Sequence, residues 1–334
     1  MTTKYTNTTG INLPMAIWLL NDNYDHINEE NYLSATKLLK PIRELILTQQ
    51  NKGTTNVEIE ISTLAQSQDG SAMHNAIEDA WKSKFAVHKA CELVGISKEV
   101  ANSIIVNPSD THLKKLQKDN GLVTPVYMEQ RTIKEIDGYK IGGKFDLILA
   151  GDLHDYKKTG TFTYTHQKMV KKYKLQGSIY RWLNPDKITN NTFTINYYFT
   201  DWVEYKTTDP KYPPHRIMSQ HFELHSYAAT EAFIKAKLKI LTELKDSPQN
   251  NLPLCSDEDL WKDPPEYKYF SNPAAERATK NFGTDAAGAH AMCAQKGKGI
   301  VKEIPSTARA CKYCNALPFC DQAAGLLKTG QLIL

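Results

Sequence analysis

The chain has 334 residues, 41% of them hydrophobic and 23% charged, with a formal net charge of +4. These values suit a globular chain able to bury one large core or two close ones, and they exclude disordered, fibrous and disulfide-scaffold classes. The first residues carry no apolar core of signal-peptide length, and no apolar run reaches the roughly 18 residues of a membrane span, so a cytoplasm is the expected compartment. Six cysteines in that setting are expected as thiols or metal ligands. A net charge this small does not announce a nucleic-acid partner, so any such argument must rest on local clustering.

Along the chain, Tyr32, Leu33, Ala35, Leu38, Leu39, Ile42, Leu45 and Ile46 recur at helical spacing between about 28 and 49, with Pro41 as a kink. A second helix is expected from Ser71 to about Val94, ended by Gly95, with His74 and Glu78 on one face. Segments 123–134 and 138–150 alternate apolar and polar side chains around Asp137-Gly138, a hairpin signal, and a turn at Gly151-Asp152 leads into Leu153-His154-Asp155-Tyr156-Lys157. A helix from roughly Thr165 to Leu183 stops at Asn184-Pro185, a strand lies near 191–205, and an amphipathic helix covers 226–245. Beyond it Pro253, Pro264, Pro265, Pro273 and Pro305 predict an irregular tail that needs something other than a packed sheet to hold it. The expected organisation is a helical segment 1–65, an α/β core 66–225, and a helical and irregular segment 226–334 that packs on the core.

The chemistry concentrates on the hairpin. Period-2 geometry turns Asp155 and Lys157 to one face of their strand, and pairing about the turn brings Asp146 nearly opposite them. Two oxygen donors a few ångströms apart suit magnesium, which keeps waters and takes phosphate oxygens as further ligands. Lys157 can then orient or deprotonate an attacking water. Alone, an Asp-x-Lys hairpin is so common that plain surface charge is the better reading.

Its company narrows the choice. The ordered set Gly70-Ser-Ala-Met-His74, Gly143-Lys-Phe-Asp146, Asp155-Tyr-Lys157 and Gln176-Gly-Ser-Ile-Tyr180 resembles the PD-(D/E)XK nuclease superfamily, in the RecB-type branch that includes phage exonucleases and spacer-trimming CRISPR-associated nucleases. The resemblance spans roughly 34–330 and is sharpest over 70–182. It implies an α/β fold with a restriction-endonuclease-like core, a mixed central sheet flanked by helices, carrying a helical N-terminal and a cysteine-cluster C-terminal extension. By the same resemblance His74, Asp146, Asp155 and the Tyr156 carbonyl are metal ligands, and Lys157 is the catalytic lysine. Gln176 and Tyr180 arrange the substrate strand, and Glu129 in Tyr-Met-Glu-Gln-Arg is a further candidate ligand.

Between Tyr156 and Pro185 there is no acid, while Lys157, Lys158, Lys168, Lys171, Lys172, Lys174 and Arg181 alternate with Tyr164, Tyr173, Tyr180 and Trp182. That mixture suits phosphate neutralisation and base stacking, and points to DNA. A solvated helix face is the plainer alternative.

Cys311, Cys314 and Cys320 offer three thiolates at spacings typical of a soft-metal site, zinc or iron–sulfur, which needs a fourth ligand. Cys255 is the expected fourth because it begins the irregular tail; Cys293 and Cys91 follow. The RecB-type branch includes members with a 4Fe-4S cluster held by a C-terminal Cys-x2-Cys-x5-Cys and one distant cysteine. In many of them that cysteine precedes the helix-borne His, whereas no cysteine here precedes Cys91. The resulting expectation is a magnesium- or manganese-dependent deoxyribonuclease, an exonuclease acting on single strands or duplex ends. It would serve phage replication, recombination or host DNA degradation in a bacterial or infected-cell cytoplasm, with a recombination or replication protein as a possible partner. The competing readings are a non-catalytic DNA-binding accessory protein that keeps the fold, and a zinc-stabilised adaptor whose thiols are the functional element.

Overall fold

The computed structural model of the chain describes residues 3–22, 25–53, 57–118 and 122–334. A strand β1 (Thr3–Thr6) and a helix α1 (Leu13–Leu20), capped by Asn12, lead to β2 (Tyr32–Ser34), α2 (Ala35–Leu38) and α3 (Ile42–Gln50). The helix expected over 28–49 is therefore a strand and two helices. Ser34 starts α2 by accepting the Lys37 N–H, and Pro41 starts a separate α3 where a kink was expected.

After β3 (Val57–Glu60), the next expected helix is also two: α4 (Ala65–Lys82) and α5 (Lys84–Leu93). Ser83 leaves helical geometry to cap α5 at the Ala86 N–H, and Gly95 closes the pair at φ +79° as its position implied. Then come α6 (Lys98–Ser103), β4 (Ile104–Val106) and α7 (Asp110–Lys118).

The central hairpin bends where a straight one was expected. Its first arm is β5 (Thr124–Met128) and β6 (Arg131–Ile136); its second is β7 (Tyr139–Lys144) and β8 (Leu147–Leu149). Asp137 at φ +50° and Gly138 at φ +78° form the predicted β6–β7 turn. Both arms break at one level, at Glu129 in the first and Asp146 in the second. Beyond the break, β6 and β7 join β2 in a three-stranded sheet; before it, β5 and β8 enter a six-stranded sheet. The next turn uses Ala150 and Gly151, at φ +50° and +91°, one residue earlier than expected, and starts β9 (Asp152–Thr159).

Left-handed Gln167, at φ +53°, splits the following helix into α8 (Thr161–His166) and α9 (Val170–Leu183). β10 (Thr192–Phe199) pairs parallel with β9, and β11 (Ile217–Glu223) completes the sheet order β11-β10-β9-β8-β5-β4. Leu153, Phe193, Ile195 and Phe199 pack inward with Ile179 and Leu183 of α9, each 0–2% exposed. Gly177 permits that closeness, since a Cβ there would lie 2.6 Å from Phe193 Cδ1.

Helix α10 (Tyr227–Leu244) matches its expectation. The tail is more ordered than its prolines suggested: β12 (Glu266–Phe270), β13 (Lys280–Asn281), α11 (Ala286–Lys296), β14 (Ile300–Ile304) and α12 (Asp321–Lys328) form, with the strands in order β13-β12-β14. The chain is thus mixed α/β, with several sheets flanked by helices. It divides into two compact units, one of Met1–Leu39 with Asn56–Leu238 and one of Lys40–Thr55 with Lys239–Leu334. Helix α3 therefore belongs with the C-terminal segment.

Candidate metal centre

The sheet-switching bend builds the first unit's site. Glu129 N–H donates to Asp146 C=O at 3.1 Å, which sets the two bend residues side by side. Glu129 takes φ +52°, a conformation that costs a non-glycine residue about 1–3 kcal/mol and persists only where neighbours impose it. Asn107 supplies the constraint: its Oδ1 accepts the Met128 N–H and a Gln130 Nε2–H, each at 2.9 Å. Beneath the bend Val126, Met128 and Leu147 are buried together, with Trp81 of α4 packed against them.

The β8–β9 register pairs Leu147 with His154, so Asp146 stands beside Asp155, as pattern and turn implied. Tyr156 N–H donates to Asp146 Oδ2 at 2.9 Å. Helix α4 brings His74 in from the other side, anchored by an Asp69–Lys158 ion pair of 2.9 Å. His74 Nε2 lies 3.1 Å from the Tyr156 carbonyl, and Nδ1 lies 3.5 Å from Asp146 Oδ2. A carbonyl can only accept, so Nε2 carries the proton in that bond, and a neutral ring then turns its Nδ1 lone pair toward a carboxylate. One ligand atom each from His74, Glu129 and Asp146 all fall within 4.8 Å of one another. Two acceptors facing each other need a cation or a proton between them.

Asp155 is 3% exposed. Its Oδ1 accepts from Gln176 Nε2 at 3.3 Å, and the same amide reaches the Tyr180 hydroxyl at 3.2 Å, so α9 holds Asp155 through two residues one turn apart. Lys157 Nζ approaches Asp155 Oδ2 at 2.6 Å, yet that buried oxygen has no partner of hydrogen-bonding geometry. The contact is a close charge pair that leaves a lone pair available. Glu129 is engaged by Lys144 at 2.5 Å.

Charge is crowded here. Burial first, and then the negative charge of Asp155, hold the Asp146 carboxyl well above the usual carboxylate range, against the opposing pull of Lys157 and the Tyr156 N–H. Burial pulls Lys157 down, but Asp155 and Asp146 together outweigh it, and its ammonium is held above the ordinary lysine value. Burial pushes the Tyr156 phenol up to about 12.

The basic stretch is corrected in one respect. Tyr173, Tyr180 and Trp182 are buried at 6%, 6% and 3% exposure, so these rings are core and cannot stack on a base. Their helical spacing was the signal that α9 buries an aromatic face. Phe162, passed over in the sequence, is instead 50% exposed. Its ring stacks on His166 at 3.7 Å, with Lys168 Nζ 5.5 Å from its centroid.

In the second unit Cys255, Cys311, Cys314 and Cys320 line one cavity of ≈ 30 Å³, together with Arg43 and Glu44 of α3. The trio and Cys255 thus share one cavity wall, while Cys293 lies against the Lys298 and Gly299 carbonyls. No three of these sulfurs come together: among the described residues, three donors within 4.8 Å are met at His74, Glu129 and Asp146 and not here. Burial pushes the Cys255 thiol up to about 12 and Cys314 to about 11, and raises Cys311 as well. Three-thiol crowding was legible; the contribution of α3 was not.

No protein-family model matches the chain, and no curated protein does. A solved structure described as "Crystal structure of SSO0001" is similar over 67% of this chain and 80% of that one, at 19% identity and a TM-score of 0.35, a likeness too weak to carry an argument. Among the described residues no helix is long and apolar enough to cross a membrane.

Proposed function

We propose that the chain is a metal-dependent DNA nuclease of the PD-(D/E)XK type, its restriction-endonuclease-like core lying in the first unit. The observation that carries this reading is the convergence of His74, Glu129 and Asp146 beside a buried Asp155 oxygen that lacks a hydrogen bond. Such a donor set, mostly carboxylate with one imidazole, fits magnesium or manganese. His74, Glu129, Asp146, Asp155 and the Tyr156 carbonyl would hold the ion. When bound, it lends Lewis acidity to a phosphate and acidity to a water.

The chain's own residues divide the remaining work. Lys157, held as an ammonium by two carboxylates, is poorly suited to remove a proton and well suited to donate to the attacking water or to a phosphate oxygen. Gln176, braced by Tyr180, keeps Asp155 from rotating away. The Tyr156 N–H fixes Asp146, and the Tyr156 carbonyl in turn fixes the His74 ring by accepting from Nε2. Exonuclease action on single strands or duplex ends follows the resemblance.

The four cysteines of the second unit fit a structural soft-metal centre, 4Fe-4S or alternatively zinc, because four thiols line one cavity. The deciding experiment is cleavage of end-labelled single- and double-stranded DNA with magnesium, manganese or EDTA. Wild type should cleave only with metal, and Asp146→Ala and Lys157→Ala should each fall to background. Cleavage surviving both substitutions would sink the mechanism.

A further inference from the structure

Arg43 is 2% exposed, yet it carries a full charge that no reading of the sequence singled out. It lies on α3, 277 residues from Cys320 along the chain, and all five of its N–H donors meet acceptors. Nε donates to Cys320 Sγ at 3.5 Å. Nη1 donates to the Gln249 and Leu252 carbonyls at 3.2 and 3.1 Å. Nη2 donates to Gln249 Oε1 at 3.3 Å and to the Asp321 carboxylate.

Four of those acceptors are oxygens, as a guanidinium ordinarily finds; the fifth is a ligand-type sulfur on the wall of the four-thiol cavity. A buried cation needs compensating charge, and its carboxylate partner Asp321 is 54% exposed, where water weakens the attraction. Glu44, the acid on the cavity wall, is already paired with Lys40 at 2.5 Å. While the thiols keep their protons, the sulfur that Arg43 meets brings it no charge. A divalent ion held by four thiolates carries net charge −2, the thiol protons passing to solvent as the sulfurs take the metal. In that state the Cys320 sulfur becomes a strong acceptor, and Arg43 gains a buried counter-charge beside the exposed one of Asp321.

We propose that Arg43 is the counter-cation and outer hydrogen-bond donor of a tetrathiolate centre formed by Cys255, Cys311, Cys314 and Cys320, a positioning residue that sets how tightly the centre keeps its metal. This rests on the four thiols being ligands. Outer partners of this kind commonly change metal affinity by about 10–100-fold.

The test uses full-length protein, stripped of metal and kept reduced, titrated with cobalt(II) and then back-titrated with zinc(II). Wild type should show thiolate-to-cobalt absorption displaced by zinc. Arg43→Met should weaken cobalt binding about 10–100-fold and move the charge-transfer band, because the sulfur loses its donor. Asp321→Asn, which keeps an acceptor for Nη2 but removes the exposed charge, should stay within about threefold of wild type. If Arg43→Met does not fold by circular dichroism, Arg43→Lys decides: it keeps the charge without the fork and should lie between wild type and a tenfold loss. Wild-type affinity and spectrum in Arg43→Met overturns the proposal, as does equal weakening in Asp321→Asn, which would mark a purely structural clamp. Absence of thiolate bands in wild type, together with absence of iron and sulfide from the protein as purified, removes the ligand reading itself, and with it the proposal. That outcome is visible without any variant and leaves the nuclease assay of the first unit untouched.

Discussion

Replacing Asp146 by asparagine removes a charge and almost no volume, and the new amide oxygen can still accept the Tyr156 N–H that Asp146 now accepts at 2.9 Å. Burial, then the Asp155 charge, raise the Asp146 carboxyl well above its ordinary value, so folding favours its protonated form. A group raised in the fold contributes stability that is complete below the unfolded carboxyl value of about 3.9, and loses it as pH climbs through the folded value. Metal-free wild type should therefore lose stability across that window, each unit of separation being worth about 1.4 kcal/mol, while Asp146→Asn should not. A divalent ion reverses the penalty: at a hundred times its Kd it adds about 2.7 kcal/mol, roughly 5–11 °C in Tm at about 2–4 °C per kcal/mol. Thermal melts from acid to neutral pH, with EDTA or magnesium, read both effects. Metal-free Asp146→Asn should melt above metal-free wild type near neutral pH and respond weakly to magnesium. If it melts lower without metal, or keeps the full magnesium shift, the account of a charge-crowded cation site is wrong.

Gly177→Ala gains helix propensity of about 0.5–1 kcal/mol but drives a Cβ to within 2.6 Å of Phe193 Cδ1 and 2.9 Å of Leu224 Cδ2. Overpacking wins, and a net loss of about 1–2 kcal/mol should appear as a lower urea midpoint, together with reduced turnover as Gln176 shifts. Phe162→Ala should leave Tm unchanged while weakening single-stranded DNA binding by about 1–3 kcal/mol in a fluorescence titration with Asp146→Asn as the inert background; unchanged affinity would remove the exposed ring from the substrate path. Cys311→Ala should lose bound metal by elemental analysis and lower Tm by several degrees, as expected when a structural centre is broken; full metal content would contradict the ligand assignment.

How far the chain could be read without its structure varies with the range of the interaction. Asp137-Gly138, Gly95 and the helix over 226–245 behaved as read because each depends on backbone preference or periodicity within a few residues. The shared face of Asp155 and Lys157, and the place of Asp146 opposite them, follow from a period of two and a short turn, so the centre of the site was legible early. The breaks at Glu129 and Asp146 were not. Both lie inside well-alternating runs, and the chain bends there only because its two ends pair with different sheets, one of them containing β2 from a distant segment. Nor could spacing tell that Tyr173, Tyr180 and Trp182 face the core while Phe162 faces solvent.

The amino-acid sequence by itself determined the short-range chemistry: which carboxylates and lysine share a strand face, and which three thiols crowd into ten residues. Tertiary structure alone decided the company they keep. It set Glu129 beside His74, placed Cys255 on one cavity wall with the trio, and sent α3 with Arg43 to the cysteine unit rather than to the first unit. The reason is physical: local torsional preference acts over a few residues, whereas burial of a charge or a sheet edge is settled by whichever distant segment best satisfies it.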